Sequence, residues 1–350
     1  MPVFNTPKFQ KPGFRLALVA SALAALVLLL GTFTRLLDAG LGCPDWPGCY
    51  GSLLWINGVE EIIQAETLYP DSPVDIDKTW LEMTHRFLAG ALGLIIVSLA
   101  VISWRQRDNE NMPFRLPTFI LFLVAWQILF GMWTVTLKLW PQVVTAHMLA
   151  GVATFSLLWL LTLRLDDQRW KMTAEVMSKL AQIKPWVVVA IVITGVQMLL
   201  GGWTSSNYAA FACPDFPTCQ DQWWPEMDLK SGFNILQSFG PNYLGGVLES
   251  DARVAIHMIH RLGALVTSIY LLTLCGLLLA IKDRRVRHMA LIIFAVLFVQ
   301  LAVAVGNVEL MAPLVTAMTH TTGSIVLLLT LVTLATKVWT AKQEYQRLES

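Results

Sequence analysis

The sequence has few charged residues, and their scarcity excludes an ordinary soluble protein. Only 14% of the 350 residues are Asp, Glu, Lys or Arg, while 55% are hydrophobic. Soluble globular domains carry about 25% charged residues. The formal net charge is +1, so the chain lacks the basic excess that binding to nucleic acid requires. This composition is typical of a polytopic membrane protein that lies in a lipid bilayer.

A signal-peptide cleavage site is also missing. The first apolar run is too long for the core of a signal peptide and no A-x-A-type site follows it, so we expect it to remain as a helix. Eight runs are long enough to span a hydrocarbon layer of about 30 Å. They lie near 14–36, 81–103, 117–139, 142–163, 185–205, 254–280, 289–309 and 313–336. The sequence therefore predicts an all-α integral membrane protein with eight transmembrane helices.

Basic residues are rare on one side of these spans. Eighteen of the 25 lysines and arginines fall in the terminal segments and in alternate loops, which the positive-inside rule places in the cytoplasm. We therefore expect both termini in the cytoplasm and two long acidic loops, 37–80 and 206–253, on the outside. A weakly amphipathic stretch in the first of these, INGVEEIIQAETL (56–68), predicts a surface helix over a site or an ordinary solvated helix.

The chain contains two copies of one pattern. LLGTFTRLLDAGLGCPDWPGC (29–49) aligns without gaps on LLGGWTSSNYAAFACPDFPTC (199–219), at an offset of 170 residues. Further matches, at offsets of 173 to 175, are HRFLAGALG (85–93) with HRLGALVTS (260–268), Gln127 with Gln300, and His147 with His320. We predict two tandem four-helix bundles, 1–170 and 171–350, related by a pseudo-twofold axis along the membrane normal. The basic linker 164–184 is the expected boundary.

Histidine is scarce, with six residues, and four of them lie near the outward ends of the even-numbered spans: His85, His147, His260 and His320. Polar residues in a bilayer are costly and usually face the interior of a bundle. Two histidines on facing helices can bind one haem iron from both sides. We therefore predict two pairs of axial ligands, His85 with His147 and His260 with His320. Core histidines bonded to neighbouring helices, or a zinc or copper site, are the alternatives.

The two halves differ beside the first histidine of each pair. One half has Glu-x-x-His-Arg (82–86), whereas the other has His-x-x-His-Arg (257–261). His257 is a second candidate ligand because residues three apart share a helix face, but the duplication favours His260. A carboxylate beside only one site, that of Glu82, indicates that this site carries out acid–base chemistry or holds a reactive intermediate. An interfacial glutamate that reaches the headgroups is the alternative.

Each of these motifs ends with an arginine inside a span. A guanidinium group matches a carboxylate in a fork, so we predict that Arg86 and Arg261 pair with haem propionates. Snorkelling toward the interface is the alternative, although both arginines lie inward of their histidine.

The sequence resembles the haem A synthase family. Eight spans in two halves, the motif at 82–86, one histidine on each even-numbered span and the outward Cys-Pro loops carry the resemblance over nearly the whole chain. The resemblance is to the bacterial type of the family, which has cysteine pairs in both large outward loops. The resemblance implies an enzyme of the bacterial inner membrane that oxidises the C8 methyl group of haem O to a formyl group, giving haem A for terminal oxidases.

The resemblance also implies a role for each half. The first half receives haem O between His85 and His147, with Glu82 as the catalytic glutamate, and the second half holds a haem b cofactor between His260 and His320. A haem with two histidine ligands has no open position, so it suits electron transfer. The implied partners are haem O, a haem O synthase and an electron donor or acceptor in the membrane. A homo-oligomer is left open.

Three other functions fit part of the sequence. A non-enzymatic bis-histidine dihaem cytochrome explains the histidines but not the difference between the halves. A quinone-linked thiol–disulfide oxidase explains two outward cysteine pairs but not four repeated histidines. A haem transporter or insertion factor would bind haem in the same site without converting it.

Cysteine is also rare, with five residues. Four of them are the first and last residues of two loops. We call CPDWPGC (43–49) the first cysteine loop and CPDFPTC (213–219) the second cysteine loop. Both loops are predicted on the oxidising side of the membrane, where disulfides persist, and neither offers further ligands for zinc. A structural role is favoured over a redox role for the first. The predicted disulfides are Cys43–Cys49 and Cys213–Cys219.

Overall fold

The computed structural model describes residues 10–110, 112–166, 168–238, 240 and 242–344. The helices in this part of the chain are α1 (Phe14–Leu36), α2 (Val59–Leu68), α3 (Ile76–Arg105), α4 (Arg115–Thr136), α5 (Pro141–Asp166), α6 (Ala174–Ser206), α7 (Leu229–Gly232), α8 (Ser250–Leu279), α9 (Arg284–Glu309) and α10 (Leu314–Thr340). Two short strands, β1 (Lys171–Met172) and β2 (Lys342–Gln343), pair in parallel. Eight of the described helices, all except α2 and α7, are long and apolar enough to cross a membrane, which confirms the eight predicted spans.

Several helices begin earlier than hydropathy predicts, because polar residues cap them outside the apolar run. Helix α6 starts at Ala174, inside the predicted linker 164–184, where the side chain of Thr173 accepts a hydrogen bond from the N–H of Val176. Helix α9 starts at Arg284, where the carboxylate of Asp283 accepts two backbone N–H groups. The second half of the predicted linker is therefore helical. Side-chain oxygens of this kind satisfy N–H groups that have no partner within the helix.

The membrane helices form two rings of four. In the first ring α1 contacts α3, α3 contacts α4, α4 contacts α5 and α5 contacts α1, and in the second α6, α8, α9 and α10 contact one another in the same order. Fully buried leucines pack each ring, for example Leu158 in the first and Leu331 in the second. Each lies eleven residues beyond a candidate histidine, which is about 16 Å along a helix. The packed core therefore closes the end of each ring opposite to its histidines.

The two rings meet along α5, α6, α10 and α1. Helix α5 contacts α6 and α10, and α1 contacts α10. Exchanging the two halves converts the α5–α6 contact into the α10–α1 contact, which is what a twofold relation would produce. The axis itself, and the division into 1–170 and 171–350, stay predictions. Hydroxyl groups of Thr145 and Ser206 lie 3.0 Å apart in this interface, and the indole N–H of Trp159 donates to Thr333 at 2.8 Å.

A polar junction joins the ends of α1 and α6 beside the cysteine loops. Asp38 and Tyr208 each lie two residues beyond their helix, with left-handed φ angles of 50° and 54°. The Tyr208 hydroxyl donates to Asp38 at 2.6 Å, and Arg35 pairs with Asp38 at 3.1 Å and lies over the Tyr208 ring. Burial raises the pKa of Tyr208 above its ordinary value, so the phenol stays protonated as the donor of this bond.

Candidate functional site

The four candidate histidines lie on four different membrane helices. His85 is on α3, His147 on α5, His260 on α8 and His320 on α10. In each ring the two helices of a pair are diagonal, because α3 and α5 both contact α1 and α4, and α8 and α10 both contact α6 and α9. All four side chains are half-buried. Both predicted pairs are therefore carried by diagonal helices of one ring.

The second pair has a separation that suits one iron. The ring centres of His260 and His320 are 6.5 Å apart, with the ring planes at 82°. In a metal site with two imidazole ligands on opposite sides, each metal–nitrogen bond is about 2 Å long, and each nitrogen lies about 1.1 Å from the centre of its ring. The two ring centres should therefore lie roughly 6 Å apart. These two residues therefore fit a haem with histidine on both faces. Within the described ranges no group of three or more His, Cys, Asp or Glu residues is arranged to hold a metal ion; a haem iron takes only its axial ligands from the protein.

A glycine gives space to one histidine ring in each half. A Cβ atom on Gly31 of α1 would lie 3.0 Å from Cε1 of His85, and a Cβ atom on Gly201 of α6 would lie 3.2 Å from Cε1 of His260. A larger residue at either position would displace the ring. Neither glycine was among the predicted site residues, although both lie in the aligned segments 29–49 and 199–219.

The Nδ1 atoms of the four candidate histidines have different surroundings in the two halves. The amide nitrogen of Gln197 lies 3.1 Å from Nδ1 of His260, and that of Gln300 lies 3.2 Å from Nδ1 of His320. The buried Nδ1 atoms of His85 and His147 have no hydrogen-bond partner in the part of the chain that the structure describes. Among the described residues, the histidines whose Nδ1 atom lies within hydrogen-bond distance of a glutamine amide are therefore those of the second half.

Glu82 lies on α3 one turn before His85, and its carboxylate is held from two sides. Oε2 accepts the backbone N–H of Cys43 at 3.0 Å, and Oε1 accepts the guanidinium of Arg86 at 2.5 Å. Glu82 is only 5% exposed. A buried carboxylate with a cationic partner and a backbone donor has a fixed position, here between the first cysteine loop and His85.

Arg86 and Arg261 bind the two cysteine loops. Arg86 donates to the backbone carbonyls of Asp45, Pro47 and Gly48. Arg261 donates to those of Cys213, Asp215 and Thr218. Loop carbonyls are therefore the partners that the structure gives both arginines. Their pairing with haem propionates stays a prediction.

His257 has different surroundings from the four candidate ligands. Its side chain is 6% exposed, and Nδ1 lies 3.1 Å from the carbonyl oxygen of Ala209 in the turn that follows α6. The ring that approaches His320 belongs to His260, one helical turn further along α8. The structure therefore pairs His260 with His320 and uses His257 to contact the outer turn.

Both predicted disulfides are present. The Cα atoms are 4.8 Å apart in Cys43–Cys49 and 4.6 Å apart in Cys213–Cys219, within the usual range of about 4.4–6.8 Å. An aspartate closes each loop by accepting two backbone N–H groups: Asp45 from Tyr50 and Gly51, and Asp215 from Gln220 and Asp221. The backbone N–H groups that close the two cysteine loops therefore bind an aspartate in the same way.

The aspartate of the second cysteine loop is stabilised as an anion. Partial burial opposes the ionisation of Asp215, but hydrogen bonds from the Thr218 hydroxyl and from the N–H groups of Gln220 and Asp221 outweigh it and lower the pKa of Asp215. Hydrogen bonds to the charged form of a carboxyl group favour that form. The loop conformation is therefore stabilised by a charged acceptor at neutral pH.

Helix α2 covers the first cysteine loop. Its buried residue Ala65 belongs to an apolar cluster with Cys43, Cys49, Tyr50 and Met83 of α3. The helix predicted within 56–68 is therefore present as Val59–Leu68. It packs on the disulfide, and its role as a cover over a haem stays a prediction.

The chain matches known proteins over most of its length. Residues 14–332 match the model of a family described as cytochrome oxidase assembly protein, COX15-CtaA. The chain belongs to this family.

Individual members of the family are also similar. The Heme A synthase of Shewanella oneidensis is 40% identical over 314 residues, which cover 90% of this chain and 93% of that protein. The Heme A synthase of Shouchella clausii is 24% identical over 264 residues, 74% of each chain. That of Bacillus cereus strain AH187 is 27% identical over 209 residues, 58% of this chain and 60% of that protein. The resemblance predicted from the sequence is confirmed.

Proposed function

We propose that the protein is a haem A synthase, which oxidises the C8 methyl group of haem O to the formyl group of haem A for the assembly of terminal oxidases. The observation that carries the proposal is the buried carboxylate of Glu82, which lies one turn from His85. Of the two rings of helices that carry candidate histidines, one has a carboxylate at this position and the other does not. Similarity of 40% over 90% of the chain to a Heme A synthase supports it.

The first half, 1–170, receives the substrate. His85 and His147 bind the iron of haem O, and Gly31 leaves space for the His85 ring. Glu82 shares a helix face with His85 because the two are three residues apart. Its carboxylate would accept a proton released when the methyl group is oxidised, the electrons passing to the electron partner in the membrane, and Cys43 and Arg86 hold the carboxylate in place for this step.

The second half, 171–350, holds haem b as a resident cofactor. His260 and His320 would hold it, and the 6.5 Å between their ring centres suits one iron. When bound, this haem supplies one-electron transfer between the substrate half and an electron partner in the membrane. The protein's part is to hold both ligand rings and to cover them with the second cysteine loop, which Arg261 ties to α8.

The site lies near the outer face of a bacterial inner membrane. The excess of lysine and arginine in the terminal segments and alternate loops supports cytoplasmic termini. Both disulfides are then on the oxidising side. Haem O arrives from a haem O synthase in the same membrane.

Co-expression with a haem O synthase tests this function. Haems extracted from the membranes and separated by chromatography should contain haem A with the wild-type chain and haem O alone with Glu82→Ala. Bound haem without conversion by the wild-type chain would favour a dihaem cytochrome or a haem carrier. A chain that binds no haem would contradict the ligand assignment, and a thiol–disulfide oxidase would then be the remaining candidate.

A further inference from the structure

Each glutamine beside a second-half histidine sits against a glycine. A Cβ atom on Gly263 would lie 2.3 Å from Oε1 of Gln197, and a Cβ atom on Gly323 would lie 2.2 Å from Oε1 of Gln300. Both glycines are three residues beyond a candidate ligand. Any other residue at these positions would overlap the amide oxygen, so each glutamine depends on its glycine.

The first half lacks this arrangement at His85. The repeat offsets place Val27 at the position of Gln197 and Leu88 at the position of Gly263. Val27 has no amide group, and Leu88 has the Cβ atom that the glycine lacks. The backbone of Val27 interacts with the His85 ring, but Nδ1 has no partner of hydrogen-bond geometry among the described residues.

At His147 the glutamine is retained and the glycine is not. Gln127 donates to the backbone carbonyl of His147 at 3.1 Å, as Gln300 does to that of His320 at 3.0 Å. Ala150 stands where the second half has Gly323, and a Cβ atom at Gly323 would lie 2.2 Å from the amide oxygen of Gln300, so we infer that Ala150 excludes the same placement of the amide. The amide of Gln127 lies beside Gly151 instead. Nδ1 of His147 is left without a hydrogen-bond partner in the described part of the chain.

We propose that Gln197 and Gln300 are positioning residues that hold the rings of His260 and His320, so that the second half retains its haem while the first half exchanges its own. This inference rests on the proposed function, because it requires haem in both halves. A partner at the second ring nitrogen fixes the orientation of a metal-bound histidine, and its loss costs about 10–100-fold in metal affinity. A carboxamide has both a donor and an acceptor, so it can serve either tautomer of the ring.

The difference matches the task of each half. A cofactor stays bound through many turnovers, so ligand rings held in one orientation are an advantage. A substrate has to leave as product, so rings that no side chain holds allow release. One glutamine–glycine pair at each second-half histidine, and at neither first-half histidine, separates the two tasks on one duplicated scaffold.

Transfer of haem to an excess of apomyoglobin tests the inference on the full-length chain loaded with haem b in detergent. The wild-type chain should release haem in a fast phase from the first half and a slow phase from the second. Gln197→Val and Gln300→Leu should each accelerate the slow phase by about 10–100-fold and shift the low-spin EPR signal, which reports ring orientation. Gln300→Glu, which keeps an acceptor, should restore the slow phase, and the exposed control Gln64→Leu on α2 should change neither phase.

The reciprocal variant removes the obstacle in the first half. Ala150→Gly should let Gln127 reach Nδ1 of His147 and slow the fast phase, with the slow phase unchanged. This gain cannot come from misfolding. A slow phase unaffected by Gln197→Val and Gln300→Leu, or a fast phase unaffected by Ala150→Gly, would overturn the inference. A wild-type chain that binds no haem would overturn the proposed function instead.

Discussion

The two halves hold their cysteine loops in the same way but differ one turn before the first histidine. Arg86 and Arg261 both donate to loop carbonyls, and an aspartate closes each loop. Beside these shared contacts, Glu82 binds a backbone N–H and an arginine, whereas His257 lies against a carbonyl oxygen. The duplicated scaffold therefore keeps its outer cover in both copies, and it places an acidic group in only one.

Making the first half like the second should have the largest effect. Glu82→His gives the first half the motif of the second, and we expect the haem A yield to fall at least about 100-fold, because the carboxylate that Cys43 and Arg86 hold one turn from His85 is lost. Bound haem should remain, since both histidine pairs are intact. Chromatography of extracted haems measures the yield. The exposed variant Glu60→His on α2 is the control, and haem A at the wild-type level in Glu82→His would remove Glu82 from the chemistry.

The two arginines should differ in their effect on stability, although both bind a loop. Arg86→Ala leaves the buried carboxylate of Glu82 without its partner, so we expect a loss of about 3–5 kcal/mol in the free energy of unfolding. Arg261→Ala removes hydrogen bonds to carbonyls and a contact with the Phe216 ring but no ion pair with a buried carboxylate, so we expect a loss of about 1.5–3 kcal/mol. Thermal unfolding in detergent compares them. Adding Glu82→Ala to Arg86→Ala should recover part of the loss, and equal losses for the two single variants would show that the ion pair contributes nothing.

The disulfides should be equivalent in stability. Each closes a loop with a sequence separation of 6, which corresponds to about 2 kcal/mol from the restricted unfolded chain. Replacing either pair by alanines should lower the free energy of unfolding by this amount, and the protein that remains folded should still form haem A. A folded Cys43→Ala, Cys49→Ala variant without activity, next to an active Cys213→Ala, Cys219→Ala variant, would instead assign a redox role to the first disulfide.

Local and repeated signals allowed much of this architecture to be predicted from the sequence. Each span is a continuous apolar run, so all eight were found. The cysteines of each loop are close in the chain and recur at a constant offset, so both pairings were correct. The four candidate histidines stood out for the same reason, because a polar residue in an apolar run is conspicuous and its repetition is more so, while their role as haem ligands stays a prediction.

Contacts between distant segments could not be predicted in this way. Arg86 meets the carbonyl of Asp45 across 41 residues, and His257 meets that of Ala209 across 48. Neither contact has a local pattern, because each depends on how an outward loop folds back over a helix. Gln197 lies 63 residues from the His260 ring that it contacts. Its difference from the first half is visible only when equivalent positions of the two halves are compared.

The smallest expected effect concerns the interface between the rings. The hydroxyls of Thr145 on α5 and Ser206 on α6 lie 3.0 Å apart, whereas the repeat offsets place Met318 and Leu36 at the equivalent positions of α10 and α1. Ser206 also donates to the carbonyl of Trp203 in its own helix, so it keeps a partner when Thr145 is changed. We therefore expect Thr145→Val to lower the free energy of unfolding by only about 0.5–1 kcal/mol.

A double-mutant cycle with Ser206→Ala decides whether this polar pair holds the rings together. Removing both hydroxyls should cost no more than removing one, because neither group is then buried without its partner. The coupling free energy should be about 0.5–1 kcal/mol, and the haem A yield should not change, since the pair touches neither histidine site. A double variant whose loss equals the sum of the single losses would show that the hydroxyls act independently. The α5–α6 contact would then be an apolar interface like that expected between α10 and α1, and the two halves would differ only at their haem sites.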